Sequence, residues 1–216
     1  MKRILCFGDS NTWGAIPATP DRYAAGQRWP GVMARSLGDD FTVIEEGQPG
    51  RTTLWADPVE RVASGLTDLP VCLVHHRPLD AVILLLGTND TKARFGVGPE
   101  EIAGGIERLG RLVLTRGAGR EQRAPHLLIV APPPLAKLTA HAALFAGGTE
   151  KSRGLSARYA AVARRLGAGY YAAERVVHSS DRDGIHWDAE SHAALGRALA
   201  PLIALLVAAS AAVHAG

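Results

Sequence analysis

Four short blocks in the chain carry residue types that can do chemistry, and each follows an apolar run. The first is Gly8-Asp9-Ser10, which leaves a hydroxyl on a polar turn. The last is Asp183-Gly184-Ile185-His186, where a carboxylate and an imidazole stand three residues apart. In a tight turn that offset lets the carboxylate hold Nδ1–H while Nε2 faces outward. The tautomer is then fixed and the imidazolium stabilised, as the general base of a serine nucleophile requires. Between them lie Glu46-Gly47-Gln48-Pro49-Gly50-Arg51-Thr52-Thr53 and Gly87-Thr88-Asn89-Asp90. The glycines of the second block free backbone N–H groups to donate to an anion, and Asn89 can aim a side-chain amide over the same edge. Taken singly, each block is ordinary turn chemistry, in which Ser, Asp and Asn cap helices or close turns. Their joint occurrence points to nucleophilic acyl chemistry, because the same edge would then hold a nucleophile, anion donors and an oriented base.

Elements must place all four blocks together. Apolar runs predict strands at residues 3–7, Thr42–Glu45, Ala81–Leu86, Leu127–Ala131 and Tyr170–Ala172. Ala81–Leu86 is continuously apolar, as a strand buried on both faces requires. Helical patterns fall between them, the clearest over Pro99–Arg116. Pro99 suits its first position, and Glu100 and Glu101 suit the positive end of its dipole. Ile102, Ile106, Leu109 and Val113 form its apolar stripe, and Gly117 stops it. Further helices are expected over Pro30–Leu37, Val59–His75, Ser156–Leu166 and Ala189–Leu206. Asp188 would cap the last of these, and Pro201 would kink or divide it. Strands alternating with helices imply a parallel sheet covered on both faces, and five strands fit the flavodoxin-like order 2-1-3-4-5. Ligands of such sheets gather beyond the carboxyl ends of the strands, where the four blocks fall. Residues 132–151, Pro-rich and then Gly147-Gly148, form a long insertion of the kind that often serves as a lid or binding loop.

Composition narrows the function classes. The 216 residues suit a single domain spanning 1–216, and 47% hydrophobic with 21% charged residues is ordinary globular material. A net charge of +3 with scattered basic residues argues against nucleic acid as a partner, which needs a patch or stripe. Cys6 and Cys72 are too few for a disulfide framework, and His75-His76 lack a metal-ligand pattern around them. The apolar run after Lys2-Arg3 ends at Gly8, too short for a signal peptide. A cytoplasmic protein is the expectation. The apolar stretch Ala198–Val213 falls short of the ~20 residues that span a bilayer, so a core helix or a subunit contact is expected there, and no membrane. No G-x-S-x-G occurs, which excludes the usual α/β-hydrolase elbow.

With these blocks in view, the chain resembles the SGNH (GDSL) hydrolases. Gly8-Asp9-Ser10, Gly50, Gly87-Thr88-Asn89-Asp90 and Asp183-Gly184-Ile185-His186 look like that family's four blocks. Ile4–Ser10 and Gly87–Lys92 resemble its bacterial arylesterases and acyltransferases, and the resemblance spans about residues 3 to 206. It implies a three-layer α/β/α fold and hydrolysis of short acyl esters of small molecules, without metal or cofactor. It also implies roles: Ser10 as nucleophile, His186 as base, Asp183 as its orienting carboxylate. The oxyanion hole would be the N–H of Ser10, the N–H of Gly50 and the amide of Asn89. Asn11 and Trp13 are expected to line the acyl site, with Trp13 and the insertion crowding its mouth against long acyl chains. Position 11 is Asn where these relatives commonly have Leu, and Gln48-Pro49-Gly50 stands where they commonly have Leu-Ser-Ala. Such relatives form homo-oligomers, often octamers, and some pass the acyl group to alcohols. The rivals are a carbohydrate acetyl esterase or thioesterase of the same family, and a non-catalytic flavodoxin-like module whose Gly8–Thr12 turn holds a phosphate or flavin.

Overall fold

A computed structural model describes residues 1–213, with side chains through 208. Five strands, β1 (Lys2–Gly8), β2 (Phe41–Gly47), β3 (Ala81–Leu85), β4 (His126–Ala131) and β5 (Gly169–Ala172), make one parallel sheet in the order β2-β1-β3-β4-β5. This is the expected 2-1-3-4-5 topology. The seven helices of the described residues are α1 (Ser10–Trp13), α2 (Trp29–Leu37), α3 (Gly65–His76), α4 (Pro99–Thr115), α5 (Gly148–Arg153), α6 (Leu155–Leu166) and α7 (Ala189–Val213).

The period-two alternation of strand side chains divides the core. Leu5 and Phe7 of β1 join Val82, Leu84 and Ile129 under α3, α4 and α6. Ile4 and Cys6 join Ile83, Leu128 and Val130 on the opposite face, under α2 and α7. Helices on both faces give the three-layer α/β/α architecture. Buried on both sides, the central strand β3 is apolar throughout, as the sequence pattern required.

Register sets the strand ends level. Gly8 pairs with Gly47 of β2 and with Leu85 of β3. Ser10, Gly50 and Asn89 therefore follow those paired residues by two, three and four positions, off one edge of the sheet.

Two expectations are corrected. The helix expected from Val59 begins at Gly65, where the Ser64 hydroxyl accepts from Thr67 N. Residues 55–64 are instead a loop closed by an antiparallel bridge between Asp57 and Val62. Asp57 accepts from the N–H groups of Val59 and Glu60, and Lys92 and Arg94 hold Asp57 and Glu60 from outside the loop. Those tertiary ion pairs, with Lys92 only 2% exposed, override the local helical pattern. The second correction concerns α7, which Pro201 does not divide. The carbonyl this proline cannot satisfy belongs to exposed Arg197, on the solvent side. Unbroken, the stretch Ala189–Ala208 is long and apolar enough to cross a membrane. Leu195, Leu199, Ile203 and Val207 are nevertheless buried against the sheet. The three residues after 213 lie outside the described part.

The insertion is no free flap. Leu135 and Phe145 pack on Ile185, Ala136 N donates to the Gly184 carbonyl at 2.9 Å, and Thr139 Oγ1 donates to the Arg182 carbonyl at 3.0 Å. It is a buttress under the Asp183–His186 turn.

Candidate active site

Asp9 and Ser10 form the start of α1 directly off β1. The Asp9 carboxylate accepts from Asn11 N at 2.9 Å and caps the short helix, which Gly14 closes. Ser10, 6% exposed, presents its Oγ at the helix N-terminus. His186 Nε2 lies 3.0 Å from that Oγ, and His186 Nδ1 lies 2.8 Å from Asp183 Oδ2. The structure thus joins residues 176 positions apart in one chain of hydrogen bonds, carboxylate to imidazole to hydroxyl.

The Asp183 carboxylate is itself fixed from four directions. Its Oδ1 accepts from Ile185 N and His186 N at 2.8 and 2.9 Å, and Oδ2 accepts from Ala18 N at 3.0 Å as well as from the imidazole. Burial pushes the carboxyl up, but the His186 hydrogen bond and the two backbone N–H groups outweigh it and hold it well below the usual carboxylate range. It stays ionised whenever the imidazole acts. The turn needs Gly184: φ is +83°, and a Cβ there would come within 2.7 Å of the Lys137 carbonyl oxygen.

The other two blocks meet beside Ser10. Gly50 has φ +79°, and a Cβ on it would lie 3.0 Å from Glu60 Oε2. Asn89 is 6% exposed, and its Nδ2 donates to the Arg51 carbonyl at 3.2 Å. That contact leaves the amide's second N–H uncommitted. Next to it, buried Asp90 accepts from Thr53 N at 2.9 Å and from the Thr53 hydroxyl. Burial pushes the carboxyls of Asp9 and Asp90 each up to about 6.

Asn11 and Trp13, expected at the acyl site, lie on α1 just after Ser10. Asn11 is 1% exposed, its Nδ2 reaching the Ile185 carbonyl at 3.4 Å and its Oδ1 without a partner. It braces the histidine turn from beneath. Trp13 is half-buried at the end of α1, its ring 5.0 Å from the Arg22 guanidinium. Sequence reasoning passed over Arg51, whose guanidinium touches two strand ends. It also passed over His192, whose imidazole packs at a tilt 5.4 Å from the Trp187 ring. Burial pushes that imidazole down to about 3, so it is neutral packing. Among the described residues no group of His, Cys, Asp and Glu could hold a metal ion.

The whole chain has close counterparts among solved structures. The aryl esterase of M. smegmatis is 43% identical, with a TM-score of 0.91 over 95% of this chain and 100% of that one. Est24, a carbohydrate acetylesterase from Sinorhizobium meliloti, is 45% identical with a TM-score of 0.92 and the same coverage. A carbohydrate acetylesterase family member from Sinorhizobium meliloti is 39% identical, with a TM-score of 0.90 over 96% of this chain and 100% of that one. No curated protein matches the sequence. The fold and these likenesses define a carboxylic ester hydrolase. The chain belongs to the GDSL-like lipase/acylhydrolase family, whose model matches residues 6–194. Family membership sets aside the flavodoxin-like binding module.

Proposed function

We propose that the chain is a serine esterase for short acyl esters, acetyl esters above all, working as one domain through an acyl-enzyme on Ser10. The observation that carries this is the unbroken hydrogen-bond chain Asp183–His186–Ser10. Ser10 Oγ attacks the ester carbonyl carbon while its proton passes to His186 Nε2. The oxyanion is met by the N–H of Ser10, the N–H of Gly50 and the free N–H of Asn89, donors fixed before the substrate arrives. His186 then returns the proton to the departing alcohol. Water attacks the acyl-enzyme in the same way, and a second alcohol in its place would give acyl transfer. The ionised Asp183 stabilises the imidazolium in both steps.

Aryl and carbohydrate acetates are both candidate substrates, since similar structures include an aryl esterase and a carbohydrate acetylesterase. A small-molecule ester is thus the partner, with no nucleic acid, no membrane and no cofactor in the reaction. Two free thiols support a cytoplasmic setting. Val71 and Val74, neighbours on the exposed side of α3, are the apolar surface offered to a homo-oligomer contact.

A panel of aryl acetate, acetylated sugar and aryl octanoate tests the proposal, each with and without added alcohol. The acetates should turn over faster than the octanoate, alcohol should divert product into a new ester, and Ser10→Ala should abolish all of it. Near-native turnover by Ser10→Ala would sink the mechanism.

A further inference from the structure

The three proposed oxyanion donors sit on three different loops, and one buried residue ties them together, its side chain holding two strand ends and its own carbonyl holding Asn89. Arg51 follows Gly50 directly, and its own carbonyl takes the Asn89 amide at 3.2 Å. Its Nη1 donates to the Gly8 carbonyl at 2.9 Å and to the Glu46 carbonyl at 2.6 Å, at the ends of β1 and β2. Nη2 and Nε pair with Asp68 of α3 at 3.0 and 3.1 Å. The guanidinium carbon lies over Phe7, 4.3 Å from the ring centroid, and the residue is 4% exposed. The N–H groups of an arginine point in a rigid planar fork, so fixing one end fixes the other.

From this geometry we infer that Arg51 is the positioning residue of the oxyanion hole, an inference that rests on the proposed roles of Ser10, Gly50 and Asn89. Gly8 precedes Ser10 by two residues, so the bond to its carbonyl sets the β1 end against the Gln48–Arg51 turn. That turn is held on the strand side by Gln48 N, which donates to the same Gly8 carbonyl at 3.1 Å. The Arg51 carbonyl then draws one N–H of Asn89 away from the hole and leaves the other aimed by default. Arg51 touches neither substrate nor reacting atoms. Its effect falls on the transition state, where the donors must meet a developing oxyanion and small displacements are costly.

The test is a kinetic series on an aryl acetate with Ser10→Ala, Asn89→Ala, Arg51→Met and the double variant Asn89→Ala/Arg51→Met. Asn89→Ala should lower kcat by about 10²–10³. Arg51→Met should lower kcat by about 10², and by no less than about tenfold, with KM within about threefold, the pattern of an interaction made only in the transition state. In the double variant the two losses should fall short of their product, because Arg51 acts in part through Asn89. A kcat loss under about tenfold, a loss seen mainly in KM, or losses that multiply in full would each overturn the inference. Should Arg51→Met fail to fold, Asp68→Asn replaces it. That variant keeps the arginine and removes only its partly exposed counter-charge. It should lower kcat at least about threefold and fall short of the product with Asn89→Ala; anything else overturns the inference. If Asn89→Ala itself keeps kcat within about threefold, the oxyanion reading falls and the role of Arg51 with it. A normal Asn89 effect with an inert Arg51 removes only Arg51.

Discussion

Replacing Asp183 by asparagine exchanges one oxygen for an NH2 group and nothing else, and the structure says where that group must go. Asp183 Oδ1 accepts from Ile185 N and His186 N, and Oδ2 accepts from His186 Nδ1 and Ala18 N. An asparagine has one acceptor oxygen for these four donors. If the oxygen keeps the Ile185 and His186 N–H groups, the turn survives and the NH2 faces Nδ1. Nδ1 must then accept, the ring proton moves to Nε2, and the imidazole can no longer take the proton from Ser10. If the amide flips, the tautomer survives but the NH2 opposes two backbone donors only 2.8 and 2.9 Å from the present oxygen. The first arrangement keeps more hydrogen bonds and should prevail. Loss of the correct tautomer in a serine–histidine system costs about 10⁴ in kcat, or about 5.5 kcal/mol of barrier. The assay is steady-state hydrolysis of an aryl acetate, with circular dichroism to show that the fold is kept. A folded Asp183→Asn enzyme with kcat within about tenfold of wild type would refute the role given to this carboxylate.

Other consequences are equally open to measurement. Asn11 Oδ1 is buried without a partner and its Nδ2 makes one long bond, so Asn11→Leu should stabilise the protein by about 1 kcal/mol in thermal denaturation; a destabilised variant would contradict that account. Asp90 has its folded pKa raised to about 6. Its contribution to stability is therefore complete below the unfolded carboxylate range near pH 4 and is lost as pH rises through 6. Denaturant titrations between pH 4.5 and 7.5 should show wild type losing up to ~3 kcal/mol relative to Asp90→Asn as pH rises, and parallel pH profiles would refute it. Asp183 has the opposite sign. Its depressed pKa contributes stability present above the ordinary carboxylate range and lost on strong acidification, so Asp183→Asn should flatten that acid limb.

How much of this was legible in the sequence follows from the range of the forces involved. The strand runs and the stripe of α4 are local patterns, and with the preference for right-handed crossovers they suffice for the sheet order. Ser10, Asn89 and the Asp183–His186 pair were legible because strand ends place them and a three-residue offset orients the base. The loop at 55–64 was not legible, because the ion pairs from Lys92 and Arg94 come from residues more than thirty positions on. Nor was the passage of α7 through Pro201, which depends on which side of the helix faces water. The contact of Asn11 with the histidine turn was hidden for a related reason. A polar residue beside a nucleophile reads as a site residue, while its partner, the Ile185 carbonyl, is 174 positions away. Arg51 gave no signal, since two of its partners are backbone carbonyls, which have no sequence signature, and Asp68 stands seventeen positions away.

The central claim is that Ser10 becomes the acyl carrier, and a covalent trap tests it most directly. Wild-type protein treated with a fluorophosphonate, digested and read by mass spectrometry should carry one adduct, on the peptide containing Ser10, in step with loss of esterase activity. Ser10→Ala should carry none. Activity lost with the adduct on another residue, or esterase activity persisting while Ser10 is fully labelled, would contradict the account.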